Sequence, residues 1–112
     1  MVNGGYVPAQ GDIVWLDFNP QQGHEQRGRR PALVISHKEY NETVGLALFC
    51  PITSRVKGYP FEVELNDSKV NGVVLSDQLK SLDWQARSVE FIEKSGADIF
   101  AEVKSKLLLL ID

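Results

Sequence analysis

The sequence is poor in the residues that build several common kinds of site. It has one cysteine, Cys50, in 112 residues. That excludes an intrachain disulfide framework and any zinc site built on several cysteines. Its two histidines, His24 and His37, stand apart with no cysteine near them, so no metal-ligand spacing is visible. No apolar run approaches the roughly 20 residues that span a bilayer; a long one is Leu107–Ile111 near the end. No basic segment followed by an apolar stretch opens the chain, so no secretory signal is expected and a cytoplasmic location follows. Excess positive charge is missing too: 12 Lys and Arg against 15 Asp and Glu leave a net charge of −3, unlike a chromatin-type nucleic-acid binder. The length predicts one domain over residues 1–112, able to bury about 65% of its unfolded surface.

The distribution of charge says more than its sum. Arg27, Arg29, Arg30, Lys38, Arg55 and Lys57 face only Glu39 and Glu42 between positions 27 and 57, a net of +4 in an acidic chain. A cationic surface results if the fold gathers these segments; otherwise they are a solvated, salt-bridged face.

The pattern is mainly that of short strands. Residues 1–12, with three glycines and a proline, read as a loose lead-in. Asp12 to Phe18 is β-branched and aromatic and stops at Asn19-Pro20. Gln21 to Arg30 is a polar loop, and Pro31 to Ile35 is a strand with the proline at its mouth. A polar connection from His37 to Thr43 has room for a helical turn, and Gly45 to Ile52 is a wholly apolar strand. Thr53 to Pro60 is a second polar loop, Phe61 to Leu65 alternates as a strand with one wet face, and Asn71-Gly72 predicts a tight turn. Val73 to Leu82 has the length of a strand or a strand pair. Ser95 to Asp98 resembles a capping box, behind which Ile99, Val103, Leu107 and Leu110 recur at helical spacing. Five or more strands and one terminal helix predict a small, strongly curled antiparallel sheet or barrel.

Three catalytic schemes can be weighed. Cys50 lies within an apolar strand and reads as a core residue rather than a nucleophile. A pair of histidines could serve as general acid and base, but isolated histidines more often serve structure or solvent. The loop from Gly23 to Pro31 carries Glu25, Arg27, Arg29 and Arg30, and arginine's planar fork matches phosphate oxygens while holding its charge. Thr53 and Ser54 place two hydroxyls where the apolar strand opens into the cationic segment Arg55 to Tyr59. Tyr59 offers a face for base stacking, and Gln78 and Lys80, two apart on a strand, share one side. These residues point to single-stranded nucleic acid. Trp15 and Trp84 suit a core or an interface better than a binding platform.

Gly11-Asp-Ile-Val-Trp15, Gly23-His-Glu-Gln26, Arg29-Arg-Pro-Ala-Leu-Val34, Pro51-Ile-Thr53, Gly58-Tyr-Pro-Phe61 and Asp77-Gln78, in that order, resemble the MazF/PemK toxin family, most of all its MazF branch. The resemblance implies an SH3-like barrel of the CcdB/PemK kind, a homodimer, and cleavage of single-stranded mRNA with no metal or other cofactor. The ribose 2′-hydroxyl then attacks the phosphate, and a cognate antitoxin with an acidic, disordered tail inhibits the enzyme. The catalytic arginine corresponds to Arg30 and the threonine to Thr53, with Glu25 at the family's acidic loop position. Arg27, Arg29, Ser54, Arg55, Lys57, Tyr59, Gln78 and Lys80 are the expected RNA contacts, and Trp15 belongs to the antitoxin or dimer surface. Two other classes remain open at this level: a non-catalytic SH3-like binding module and a CcdB-like gyrase poison.

Overall fold

The computed structural model describes residues 5–19, 28–66 and 68–112. Among these residues seven strands are formed: β1 (Asp12–Asp17), β2 (Arg29–Val34), β3 (Leu46–Thr53), β4 (Glu62–Glu64), β5 (Val73–Leu75), β6 (Lys80–Asp83) and β7 (Glu90–Lys94). Two helices accompany them, α1 (Lys38–Val44) between β2 and β3 and α2 (Ala97–Ile111) at the end. The strands hydrogen-bond antiparallel in the order β4-β5-β3-β2-β1-β7, with β6 also paired to β3. The expected mainly β fold with a terminal helix is present. The sheet stays open, because β4 and β7 end the path without pairing to each other among the described residues.

The uniformly apolar β3 is explained by its position between two packed layers. Ala47 and Phe49 join Val14, Leu16, Phe18, Ala32, Val34 and Trp84 on one face. Cys50 and Ile52 join Ile13, Leu33, Val63 and Val74 on the other, closed by Ile99, Val103 and Leu107 of α2. Burying each such aliphatic or aromatic side chain contributes about 1.5–3 kcal/mol. Trp84 is thus a core residue, and its indole N–H donates to the Asn41 carbonyl at 3.0 Å.

Prolines fall where the ladders have gaps. The β2–β3 pairing begins only at Ala32↔Pro51, so the missing N–H of Pro31 lies where β2 is paired to β1 alone. On the far edge of β3, β6 pairs through Phe49 and β5 takes over at Ile52, leaving Pro51 at the change of partner. A proline elsewhere in these ladders would leave a carbonyl without its donor.

Several expectations need correction. From residue 5 onward the lead-in is packed rather than loose, and residues 1–4 lie outside the described residues. Val7 is buried, the Tyr6 hydroxyl donates to Asp12 Oδ2 at 2.6 Å, and the Gln10 amide donates to the Ile35 carbonyl at 3.0 Å. It covers the first core layer, a tertiary role invisible to local patterning. β2 starts at Arg29, two residues before its proline, because β1 supplies partners for Arg29 and Arg30. The polar connection is helix α1, anchored by fully buried Asn41, whose side chain donates to the Pro8 carbonyl at 2.8 Å and accepts from the Ser36 hydroxyl at 2.6 Å.

Asn71-Gly72 does not make a two-residue hairpin. Glu64 pairs with Val73, so these residues close a wider connection, sealed by Leu65 N–H donating to the Gly72 carbonyl. Strand β7 had no sequence signal, since Phe91 and Ile92 are flanked by charges. Gly96, not Ser95, occupies the N-cap of α2 and no side chain caps it. The helix buries Ile99, Val103 and Leu107, whereas Leu110 is half exposed at 50% and the apolar tail Leu108–Ile111 faces outward.

Gly72 has φ of +126°, and a Cβ there would lie 2.2 Å from the Thr53 carbonyl oxygen, a backbone atom with little room to move. Gly45 caps α1 at φ +83° with open space around it. Gly45→Ala should therefore lower unfolding free energy by about 1 kcal/mol and Gly72→Ala by about 3 kcal/mol. Denaturant midpoints of the two variants check the order, and equal shifts would mean that the approach to Thr53 is unimportant.

Candidate active site

Thr53 ends β3 and is 5% exposed. Its partner on one side is Val73 of β5, which pairs in turn with Glu64 of β4. On the other side, Ala32 faces Pro51, and continuing that register by two residues sets Arg30 opposite Thr53. Arg30 itself pairs with Leu16 of β1. Opposed residues in an antiparallel ladder point to the same side. Leu16 and Arg30 on one side of the β2–β3 junction, and Thr53, Val73 and Glu64 on the other, therefore lie toward the face of the layer that holds Phe49 and Ala32. The strand spacing of about 4.8 Å applies to the paired neighbours Leu16 and Arg30, Thr53 and Val73, and Val73 and Glu64, whereas the β2–β3 ladder ends two residues short of Arg30 and Thr53.

Two more expected residues reach this face. Lys80 pairs with Phe49, and the same register carries Gln78 to the level of Pro51. Gln78 Oε1 is buried and has no hydrogen-bond partner among the described residues, an acceptor turned inward. Ser54, Arg55 and Lys57 are exposed in the segment after Thr53, and Tyr59 is half-buried there. The fold thus gathers Arg30, Thr53, Arg55, Lys57, Tyr59, Gln78 and Lys80 at one end of the sheet.

Arg29 does not join them. As the neighbour of Arg30 in a strand it points to the opposite side, where its Nη2 donates to the Ser88 carbonyl at 2.8 Å and pairs with Glu90 at 3.2 Å. Trp15 faces the same outer side, paired with Pro31 and Glu90 and 39% exposed. Glu25 and Arg27 lie outside the described residues, as does His24. The ends of their segment are joined: Phe18 N–H donates to the Gly28 carbonyl at 2.9 Å and Gly28 N–H to Asn19 Oδ1 at 3.0 Å. Arg87 braces this neck by donating to the Asp17 and Asn19 carbonyls at 3.1 and 3.2 Å, a role with no local sequence signal.

Hydrogen bonding orients the threonine. Its Oγ1 accepts the Arg55 N–H at 3.1 Å, which leaves the hydroxyl hydrogen to donate elsewhere. The following loop is braced further on. The Glu62 carboxylate accepts the N–H groups of Lys57 and Gly58 at 3.0 and 2.8 Å, and the Tyr59 hydroxyl donates to Asp77 Oδ1 at 2.8 Å. Neither Glu62 nor Asp77 stood out as functional in the sequence; alternation alone made Glu62 a wet-face residue. Between this loop and β4–β5 lies a cavity of about 540 Å³, lined by Ser54, Val56, Tyr59, Glu62, Glu64 and Asn71 among others.

Two ionisable groups are unsuited to proton abstraction at neutral pH. Burial pushes the Cys50 thiol up to about 12, with a further push from Asp77, so it is a protonated core group. Burial and the hydrogen bond to Asp77 push the Tyr59 phenol up to about 12. Among the described residues no three metal-ligating side chains cluster. No helix of the described residues is long and apolar enough to cross a membrane.

Residues 9–111 match the family model described as the PemK-like, MazF-like toxin of type II toxin–antitoxin systems. The endoribonuclease toxin MazF of Escherichia coli K12 is 43% identical over 106 residues, covering 95% of this chain and 96% of that one. The endoribonuclease toxin ChpB of the same strain is 34% identical, covering 92% and 93%. The crystal structure of MazF from Deinococcus radiodurans superposes with a TM-score of 0.92 at 55% identity, covering 96% and 98%; MazF in a MazE–MazF complex of that organism gives 0.85 at 49%, covering 96% and 97%. Agreement in sequence over nearly the whole length, together with agreement in fold, establishes that this chain belongs to the PemK-like, MazF-like family of type II toxin–antitoxin toxins.

Proposed function

We propose that this member of the family, an endoribonuclease toxin, cuts single-stranded mRNA in the cytoplasm through a single domain spanning residues 1–112, using Arg30 and Thr53 and no metal ion. The observation that carries the reading is the placement of Arg30 and Thr53 on adjacent strands just past their last shared pair, toward one face and beside exposed cations. In the reaction the ribose O2′ bonds to phosphorus as the P–O5′ bond breaks. The 2′-hydroxyl proton leaves to a base, the departing O5′ gains a proton, and a 2′,3′-cyclic phosphate and a 5′-hydroxyl result.

Negative charge grows on the non-bridging oxygens as phosphorus becomes five-coordinate. A guanidinium about 4 Å away stabilises a unit charge by about 4 kcal/mol at an effective dielectric near 20. That corresponds to about three decades in rate. The Thr53 hydroxyl adds a donor in the manner of an oxyanion hole. Arginine stays protonated and is a poor base, so Arg30 acts by charge and by its two-pronged contact. Glu25 supplies the carboxylate that accepts the 2′-hydroxyl proton. Arg27, Arg55, Lys57 and Lys80 hold flanking phosphates, and Tyr59 and Gln78 meet bases.

A homodimer and a cognate antitoxin complete the reading. The MazE–MazF structures of Deinococcus radiodurans pair a relative of this chain with MazE. Trp15 and Phe91, exposed on opposite faces of the sheet, and the apolar tail of α2 give partners apolar surface to cover. An acidic, partly apolar tail could set carboxylates against Arg30, Arg55 and Lys57, where RNA phosphates bind. The Arg30–Thr53 pair favours this reading over a non-catalytic module or a gyrase poison, neither of which needs it.

Cleavage of single-stranded RNA should persist in excess EDTA and spare DNA, which lacks the 2′-hydroxyl; dependence on added divalent ions on a gel would overturn the mechanism. Arg30→Lys should lose at least about tenfold in kcat, because an ammonium cannot make the paired contact. Thr53→Ala should lose a similar factor while unfolding free energy falls by only about 1 kcal/mol. Wild-type kcat in either variant removes that residue from the site. In a titration at fixed RNA, an acidic antitoxin tail should raise the apparent KM in competition; a ternary complex with unchanged RNA affinity would contradict a shared surface.

A further inference from the structure

We infer that Glu62 is a positioning residue for RNA cleavage, holding the loop 54–60 in its RNA-gripping shape by accepting the backbone N–H groups of Lys57 and Gly58. The inference rests on the proposed endoribonuclease site and adds to it a residue that touches neither the phosphate nor the ribose.

A carboxylate beside an RNA-binding loop is at first sight misplaced. Glu62 is the first residue of β4 and sits on the same sheet face as Glu64 and Thr53. Arg55 and Lys57 reach into solvent from the loop just before it. If its charge merely faced the ligand, it would repel phosphates and weaken binding. The geometry gives it another task. Both oxygens are occupied by backbone donors, one at 3.0 Å from Lys57 N and the other at 2.8 Å from Gly58 N. Hydrogen bonds to a charged acceptor are roughly twice as strong as neutral ones, and this pair fixes two successive peptide groups.

The remainder of the loop is tied in the same spirit. Thr53 Oγ1 holds Arg55 N at the start, and Tyr59 at the end is bound to Asp77 in the turn after β5. The Glu62 N–H also donates to the Tyr59 carbonyl at 3.1 Å, closing the segment on itself. Lys57 lies between these ties, and the direction of its side chain follows from the backbone that Glu62 holds. Without the carboxylate, two N–H groups on an exposed loop turn to water. The loop then samples shapes in which its cations do not converge on one strand of RNA. Thr53 and Arg30 stay in place, because pairing with β5 holds the one and pairing with β1 holds the other, independently of the loop.

The two roles for Glu62 predict effects of opposite sign. As a bystander charge, its removal reduces repulsion, so Glu62→Ala and Glu62→Gln would both lower KM, most of all at low salt. As a positioning residue, Glu62→Ala should raise KM for a single-stranded RNA oligonucleotide roughly tenfold, with kcat within about twofold of wild type. Glu62→Gln keeps one carbonyl acceptor for one of the two N–H groups, so its KM should rise by about threefold and partly rescue the alanine variant. The substrate carries a site mapped with the wild-type protein, and melting temperatures are read alongside. Should Glu62→Ala fail to fold, the sign of the Glu62→Gln change carries the test. A KM at or below wild type in the folded variants, or a fall in kcat that tracks a fall in melting temperature, overturns the inference while RNA cleavage by the wild type stands. A wild-type protein that leaves RNA uncut removes the proposed function and this inference together.

Discussion

The organising constraint is that β3, buried on both faces, must find backbone partners on both edges without access to water. A buried N–H or C=O left unpaired costs about 1–3 kcal/mol, so an eight-residue strand in this position cannot tolerate many gaps. One edge takes β2. The other takes β6 along Leu46–Phe49 and then β5 at Ile52–Thr53. Pro51, which has no N–H to satisfy, occupies the change of partner on that second edge, and Pro31 occupies the corresponding gap on β2. The change leaves Thr53 paired to β5 at the end of β3, two residues past the last pair with β2.

The site inherits its rigidity from this arrangement and its adaptability from the loop beyond it. Arg30 and Thr53 stand on laddered strands, so their geometry depends on the core layers beneath. Arg55 and Lys57 stand on an exposed segment whose shape comes from side-chain acceptors. The acidic residues beside these exposed cations are turned to the loop itself: Glu62 and Asp77 accept hydrogen bonds from loop donors. Arg29 shows the converse, a cation in the right segment whose ties to Ser88 and Glu90 hold it on the far side of the sheet.

The N-terminal residues close the first core layer. Asp12 is 3% exposed and receives the Tyr6 hydroxyl, the Ala9 N–H and the Lys94 ammonium, joining the lead-in to β1 and β7. Burial and that hydrogen bond raise the Tyr6 phenol well above its ordinary value, so it remains a donor at any pH the protein meets. Asn41 performs a matching task on the other flank, linking Pro8, Ser36 and Trp84 through one buried residue. Both ties join segments far apart in sequence, and each satisfies polar groups that burial would otherwise leave without partners.

Local chemistry made much of this legible in the sequence. β-Branched runs, turn residues and a 3.6-residue apolar period marked β1, β3, β4 and α2, since strand and helix alternation are properties of neighbouring residues. Local chemistry marked the loop arginines and the hydroxyls of Thr53 and Ser54 as a group, and the resemblance to the family singled out Arg30 and Thr53 among them. Other features had no local trace. The packing of Tyr6 and Val7, the existence of β7, and the burial of Asn41 depend on partners tens of residues away. Which way adjacent Arg29 and Arg30 point could not follow from their shared residue type. It follows from the register against Asp17 and Leu16, because a pleated strand sends neighbours to opposite faces and only pairing sets which face is which. The strand-rich class and the residue types able to meet phosphate are local properties of the chain; which of those residues share a face depends on register and burial, because these arise from contacts between distant segments.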